Sequence, residues 1–472
     1  MTPDLVDALG RIVGPRWVRH RRAELVTYAM DGLPTRESYP GVVVMPADAA
    51  EIRQVLRLLH VLGIPFVARG AGTGLSGGAV AGEDSVLIAL TRMNRILRVD
   101  HVRRRAVVQP GVVNARLSEA TAPLGLYYVP DPSSQAACTV GGNVAENAGG
   151  PHCLKYGVTT NHVTEVEVVL PDASVVRLGS PQGEPWGPDL VGLFVGSEGM
   201  FGIATEITVR LEPLPASVRT MLADFPTVRG ASEAVSAIIA TGIVPAALEM
   251  MDQSCVAAVE ASIYAAGYPT DAAAVLLVEL DGQREAVAAE AETVAGILRA
   301  NGAREVRGAS SAADRARLWQ GRKKAFGAMG RIAPDLAVQD AVVPRSALPD
   351  IMDRIAEIRD RHGLTISNVF HAGDGNLHPN ISFDRHDPMV ASRVHEACRE
   401  IMTACVKAGG SITGEHGVGS DKIDYMPLIF DAETLGAMRA VRRAFDPQES
   451  ANPGKVVPMH ACREWLAAPS AR

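Results

Sequence analysis

Arg69-Gly-Ala-Gly-Thr-Gly-Leu-Ser-Gly-Gly78 is the stretch on which the fold turns. Within it, Gly72-Thr-Gly-Leu-Ser-Gly77 has the GxGxxG spacing of a dinucleotide fingerprint. That fingerprint works only where a helix opens directly behind it, because the helix N-terminus faces the pyrophosphate. Here Gly78-Ala-Val-Ala-Gly-Glu-Asp84 runs straight into another apolar stretch at residues 85–90. No length is left for the helix, and a nicotinamide site of that kind is not expected. The loop can still hold phosphate. Seven of the nine residues from Arg69 to Gly77 are Gly, Ala, Ser or Thr, and successive backbone N–H groups form an anion nest without a helix.

Upstream, residues 41–45 read as a buried strand. Asp48-Ala-Ala-Glu51 is a capping box, and Ile52, Val55, Leu56, Leu59 and Leu62 give the helix behind it one apolar face. Gly63 and Pro65 end it before a second strand at residues 65–68. This strand–helix–strand unit favours parallel pairing. Downstream the texture changes to short strands at residues 85–90, 105–109, 163–170 and 202–211. They are joined by three further small-residue loops: Pro130-Asp-Pro-Ser-Ser134, Thr139-Val-Gly-Gly-Asn-Val-Ala-Glu-Asn-Ala-Gly-Gly150 with Tyr156-Gly157, and Gly196-Ser-Glu-Gly-Met-Phe-Gly202. Four such loops within about 200 residues point to a large, extended, phosphate-bearing cofactor. Pro213-Leu-Pro215 reads as a boundary. Beyond it, helices at 285–299 and 348–362 alternate with strands at 275–280, 336–343, 364–369 and 377–383, an α+β pattern. Residues 433–445 form one more helix.

Composition narrows the function classes. The 472 residues are 47% hydrophobic and 21% charged, ordinary for a globular chain of two or three domains. The net charge of −7 argues against nucleic acid as a main ligand. No apolar run approaches the ~18 residues of a membrane span, and the first residues carry no pattern of a secretory signal. None of the six cysteines forms a CxxC pair, so no iron–sulfur cluster or thiolate zinc knot is expected in this chain. A cytoplasmic setting is the default. Only six of the 46 basic residues are lysines.

The sharpest chemical signal is Val369-Phe-His-Ala-Gly-Asp-Gly-Asn-Leu-His-Pro379. Asp374-Gly375 is a preferred two-residue hairpin turn. Counting outward from it pairs His371 with His378, side chains on one face, where two imidazoles can chelate a metal. A second cluster, Gly409-Gly-Ser-Ile-Thr-Gly-Glu-His-Gly-Val-Gly419, carries Glu415 and His416. Neighbours on an extended chain point to opposite sides, so one can serve a metal and the other a substrate. Trp319-Gln-Gly-Arg-Lys-Lys-Ala-Phe326 reads as helical.

Taken together, the residues at 69–78, 130–135, 141–150 and 152–157 resemble a vanillyl-alcohol-oxidase-type FAD-binding domain. Over residues 40–460 the chain resembles the FAD-dependent D-2-hydroxyacid dehydrogenases, most closely the FAD-linked large subunits of bacterial glycolate oxidases. The resemblance implies a two-part FAD-binding domain at residues 1–215, an α+β cap at 216–425 with the substrate and metal site, and a segment at 426–472 returning to the FAD domain. It implies FAD contacts at Arg69, Gly70, Ala71, Gly72, Thr73, Gly74, Ser76, Gly77, Pro130, Asp131, Ser134, Thr139, Gly141, Gly142, Asn143, Asn147, Gly150, Tyr156, Gly157, Glu198, Gly199, Gly202 and Ile203, with Asn376 and Asn452 as further candidates. Thr73 stands where some members attach FAD to a histidine, so the flavin is expected to be non-covalent.

The same resemblance assigns a divalent metal to His371, His378 and Glu415, the base to His416 and the substrate-carboxylate contact to Arg322, with Asn380 as an added polar contact. His/His/carboxylate ligation suits zinc, manganese or iron, and a guanidinium fork suits a carboxylate. Phe326 and Val338 stand where 2-hydroxyglutarate-specific members carry Thr and Lys, which favours a small monocarboxylate. The implied reaction is oxidation of a small 2-hydroxy acid, glycolate first, to the 2-oxo acid. Electrons would pass to a second flavin-domain subunit and an iron–sulfur subunit, or to quinone, with attachment at the inner membrane through those partners. Two alternatives stay open: a self-sufficient D-lactate or D-2-hydroxyglutarate dehydrogenase, and a nucleotide-binding subunit without chemistry of its own.

Overall fold

The computed structural model describes residues 1–183 and 187–458; residues 459–472 of the expected C-terminal segment lie outside them. The helix Ala49–Leu62 starts at Asp48, whose side chain accepts the Glu51 N–H at 2.9 Å, while the Glu51 carboxylate accepts the Ala47 N–H at 2.7 Å. Ile52, Val55, Leu56 and Leu59 are buried, but Leu62, expected on that face, is exposed beside the terminating Gly63. The strands Val42–Val44 and Phe66–Arg69 do not pair with each other. Val86–Ala89, buried along its length, lies between them and is parallel to both. No helix follows Gly77; residues 70–85 are loop and turn. A five-stranded antiparallel sheet follows, in the order Ile96–Asp100, Arg105–Val108, Ile203–Arg210, Val163–Val169, Val175–Gly179. The third glycine stretch is not all loop. Val140–Glu146 is a short helix, because Thr139 caps it by accepting the Gly142 N–H at 3.3 Å.

The largest sheet has nine strands, seven of them on its main path. Its two faces follow from the period-2 alternation of a strand. Met221, Leu248, Met250, Leu276, Val278 and Phe370 point to one face, under the helices Val228–Ala240, Arg284–Ala300, Leu348–His362 and Pro388–Lys407. Leu222, Ala247, Met251, Val275, Leu277 and Val369 point to the other, under Gln253–Glu260 and Ala312–Met329. On this second face the alternation places Glu249, Glu279, Asp281 and His371. The second face thus mixes apolar with charged residues, and its Glu279 and Asp281 meet His152 and Lys155 of the glycine-loop region.

The hairpin at residues 371–378 differs from the two-residue turn expected for Asp374-Gly375. His371 pairs with Asn376, and the same register continues at Asn368 with Pro379. The connection is four residues long, because its backbone is tied on both sides. Gly373 N–H donates to Leu248 O and Val343 N–H to Gly375 O, both at 3.0 Å. The Asp374 side chain accepts the Asn376 N–H at 3.1 Å. His378 therefore falls diagonal to His371 rather than opposite it. Diagonal neighbours on one face remain within reach of long side chains.

The chain returns at its end to the first sheet. Phe445, closing the helix Ala432–Phe445, stacks on Phe201 with ring centroids 4.5 Å apart. Phe66 exchanges backbone hydrogen bonds with Ser450 and Asn452 at 2.9 and 2.8 Å. No helix among the described residues is long and apolar enough to cross a membrane.

Candidate active site

A cavity of about 690 Å³ opens between the glycine loops and the polar face of the large sheet, a usual size for a ligand or cofactor site. From the loops, Arg69, Gly70, Ala71, Gly72, Thr73, Gly74, Ser134, Thr139, Gly141, Gly142, Asn143, Glu198, Gly199, Gly202 and Ile203 line it. Arg322, Phe326, Val338, His371, His378, Asn380, Glu415 and His416 line it from the other side. Glycine is required here by close approach. A Cβ on Gly141 would lie 2.5 Å from Pro110, and one on Gly72, at φ +70°, would strike the Arg69 guanidinium. Arg69 itself donates to Met30 O at 2.7 Å and Ala79 O at 3.3 Å, closing the first loop. A long cavity walled by backbone-rich loops fits an extended dinucleotide such as FAD.

The other expected cofactor residues lie behind the wall and hold it. Ser76 O accepts from Ser420 N and Asp421 N. Gly77 O accepts from Lys455 Nζ at 2.9 Å, Pro130 O from Asn114 Nδ2 at 2.8 Å, and Asn147 Oδ1 from Thr160 N at 2.9 Å. Gly150 and Gly157 make turns at positive φ. Asp131 is paired with His152 at 2.9 Å and Lys323 at 3.0 Å; Tyr156 donates to Asp281 at 2.6 Å. Asn376 packs against Gly414, and Asn452 donates to Gly78 O and Glu198 O at 3.0 and 2.5 Å. Of the scarce lysines, Lys155 and Lys323 tie the glycine-loop region to the second half of the chain, through Asp281 and Asp131, and Lys422 pairs with Asp340.

His371, His378, Glu415 and His416 form one cluster. His371 Nε2 lies 3.0 Å from Glu415 Oε1, and His378 Nε2 lies 3.3 Å from the same oxygen. The rings of His371 and His378 are 5.2 Å apart at 88°, while His378 and His416 stack at 4.8 Å. One donor atom from each of His371, His378 and Glu415 falls within 4.8 Å of the others. Both His378 nitrogens are buried without a hydrogen-bond partner. Unsatisfied buried nitrogens facing a carboxylate fit a divalent cation. Asp340, His378 and His416 meet the same distance criterion, but Asp340 Oδ2 is already taken up by the loop that carries Glu415 and His416. It accepts from Thr413 Oγ1 and from the N–H groups of Gly414, Glu415 and His416, and pairs with Lys422 at 3.1 Å.

Electrostatics separate the roles. Burial lowers the His416 pKa to about 4, so this imidazole is neutral at pH 7 and can accept a proton. Burial opposes charge on His371 as well, but the Glu249 and Glu415 carboxylates raise it well above its ordinary value. Burial opposes ionisation of Glu415, yet His371 and His378 hold it well below the usual carboxylate range. This pocket favours positive charge between its carboxylates.

Glu249, Asp340 and Glu146 escaped the sequence reading. Glu249 is the single charge in Val244-Pro-Ala-Ala-Leu-Glu-Met-Met251, and a lone carboxylate in an apolar strand is the signal that could have exposed it. Glu146 lines the cavity opposite Glu198. Burial and the Glu198 charge raise its pKa well above the ordinary value.

This fold and cavity suit a flavoprotein oxidoreductase, the class that the family matches establish. Two solved structures share the fold over nearly their whole length: p-cresol methylhydroxylase with substrate bound (TM-score 0.81, 19% identity, 96% of each chain) and 4-ethylphenol oxidase from Gulosibacter chungangensis (TM-score 0.81, 20% identity, 97% of each chain). Residues 40–179 match the FAD binding domain family, and residues 214–456 match the C-terminal domain of FAD linked oxidases. The chain belongs to the FAD-linked oxidases. It is 48% identical over 451 residues to glycolate oxidase subunit GlcD of Escherichia coli (strain K12), covering 95% of this chain and 90% of that one. It is 38% identical over 468 residues to the GlcD subunit of Bacillus subtilis (strain 168), covering 99% of each. A D-lactate dehydrogenase of Archaeoglobus fulgidus is 33% identical over 421 residues, covering 88% of this chain and 91% of that one.

Proposed function

We propose that this chain is the FAD-linked subunit that oxidises glycolate to glyoxylate in a multi-subunit oxidase. The observation that carries the reading is that Arg322, His371, His378, Glu415 and His416 line the same cavity as the glycine loops. Residues 1–215 and the returning C-terminal segment hold FAD non-covalently, and residues 216–425 supply the cap. FAD, when bound, supplies the acceptor for the hydride leaving substrate C2. His371, His378 and Glu415 would hold a divalent ion, which would supply Lewis acidity.

The chain's own groups do the rest. Arg322 Nε, buried without a partner, is a donor available to the substrate carboxylate. His416, neutral and with its Nδ1 unpartnered, takes the hydroxyl proton. Asp340 holds the backbone leading into His416 and Glu198 accepts from Val418 N and Gly419 N beyond it, so the base is presented in one position. Phe326 and Val338 replace polar contacts that a second carboxylate would need, which supports a small monocarboxylate over 2-hydroxyglutarate.

Electrons then leave to a second flavin-domain subunit and an iron–sulfur subunit, a pathway supported by the likeness to a protein named as an oxidase subunit. The test is anaerobic flavin reduction by glycolate, D-lactate and D-2-hydroxyglutarate in parallel, on protein whose yellow colour is released by acid. Fastest reduction by glycolate supports the reading. Faster reduction by D-lactate or by the dicarboxylate overturns the substrate assignment.

A further inference from the structure

We propose that Glu249 is a positioning residue that sets the substrate-carboxylate site and the metal site together, by gripping Arg322 with one oxygen and His371 with both. This inference rests on the roles given above to Arg322 and His371.

Glu249 sits mid-strand in Ala247–Asp252, wholly buried, directly opposite His371 in the sheet register. Its Oε1 and Oε2 lie 2.8 and 2.9 Å from His371 Nδ1, and Oε2 lies 2.5 Å from Arg322 Nη2. A carboxylate buried on the sheet face it shares with Ala247, Met251 and Leu277 is costly unless its partners compensate. A well-packed apolar residue at that point is as stable or more so, so the charge points to a role other than stability.

The geometry points to that role on both sides. On the metal side, the carboxylate receives the proton on His371 Nδ1. With that proton on Nδ1, Nε2, 3.0 Å from Glu415 Oε1, is the nitrogen that would face a metal. Such outer carboxylates fix the tautomer and ring orientation of a metal-ligating histidine. On the substrate side, Glu249 is the ion-pair partner holding the Arg322 guanidinium, whose Nε is left buried and unpartnered. The three residues come from three elements: the strand Ala247–Asp252, the helix Ala312–Met329 and the strand Thr365–His371. A single carboxylate that spans two of these side chains fixes the distance between carboxylate recognition and metal, the distance a 2-hydroxy acid must bridge.

The experiment uses full-length, FAD-loaded protein and two variants. Glu249→Gln keeps the shape and removes the charge. Glu249→Asp keeps the charge and shortens the reach by one methylene, so it cannot grip both partners. Zinc affinity is read without substrate by competition with a chelating dye, and KM and kcat for glycolate with an artificial acceptor. Both variants should lose zinc affinity by ~10–100-fold and show a raised KM. Flavin content should stay as in the wild type.

If Glu249→Gln does not fold, Glu249→Asp decides alone. Variants that melt earlier but keep wild-type zinc affinity and KM overturn the proposal, since that is the signature of packing only. A change in zinc affinity without a change in KM, or the reverse, also overturns it, because the carboxylate then serves one partner. A wild type that neither binds zinc nor is reduced by glycolate overturns the functional reading and this inference together. A competent wild type with unaffected variants overturns this inference alone.

Discussion

Gly149 and Glu415 lie against each other across the cavity wall: a Cβ on Gly149 would sit 2.5 Å from Glu415 Oε2 and 3.0 Å from Cys153 Sγ. The contact joins the third glycine stretch to the carboxylate of the proposed metal site. Glu415 cannot swing aside freely, because its other oxygen is held between His371 and His378. Gly149→Ala should therefore displace the Glu415 carboxylate and weaken metal binding while FAD stays. Metal and flavin content of the purified variant check this; full metal occupancy in Gly149→Ala counts against it.

Arg322→Lys retains the charge but loses the planar fork. A lysine cannot both pair with Glu249 and present a second donor from a fixed plane. Glycolate kcat/KM should fall by at least an order of magnitude with FAD retained, as measured by steady-state kinetics. Unchanged kinetics would remove Arg322 from the substrate site.

His378→Ala and His416→Ala should fail differently. The first removes a ligand, so metal and activity go together. The second leaves His371, His378 and Glu415 in place, so metal and FAD stay while flavin reduction slows by ~10²–10⁴-fold, the usual cost of a lost general base. Metal analysis beside anaerobic stopped-flow reduction separates the two. Metal loss in His416→Ala would mean that ligand and base are interchanged.

His152 lies between Asp131 at 2.9 Å and Glu279 at 3.4 Å, where the glycine-loop region meets the large sheet. Burial opposes its charge, but the two carboxylates raise its pKa to about 10. A histidine raised above its unfolded value of ~6.5 stabilises fully below that pH and loses the contribution as pH rises through about 10. The stability lost in His152→Gln should be largest near pH 6 and shrink towards pH 10. Melting temperatures of both proteins across that range test the sign; a constant difference contradicts it.

What the sequence discloses follows from how local each signal is. The glycine loops are legible because their composition answers a local demand, backbone approaching backbone, and because the missing helix after Gly77 is itself visible. Their supporting contacts are not, since Asp131 reaches Lys323 and Tyr156 reaches Asp281, each more than 100 residues away. His371, His378, Glu415 and His416 are legible as motifs, but the hairpin register is not. The Asp374-Gly375 turn preference is outweighed by backbone ties to Leu248 and Val343, which no local count reveals. Glu249 lies 122 residues from His371, and only the sheet brings them into register. The interleaving of Val86–Ala89 between the first two strands is likewise a tertiary choice among strands of similar character.

The most direct test of the account is anaerobic flavin reduction by glycolate in one preparation, split into metal-loaded and chelator-stripped halves that both retain FAD. The account predicts rapid bleaching in the loaded half, slow bleaching in the stripped half, and recovery when metal is restored. Equal, rapid bleaching in both halves would contradict it, because the His371, His378 and Glu415 cluster would then have no part in the reaction.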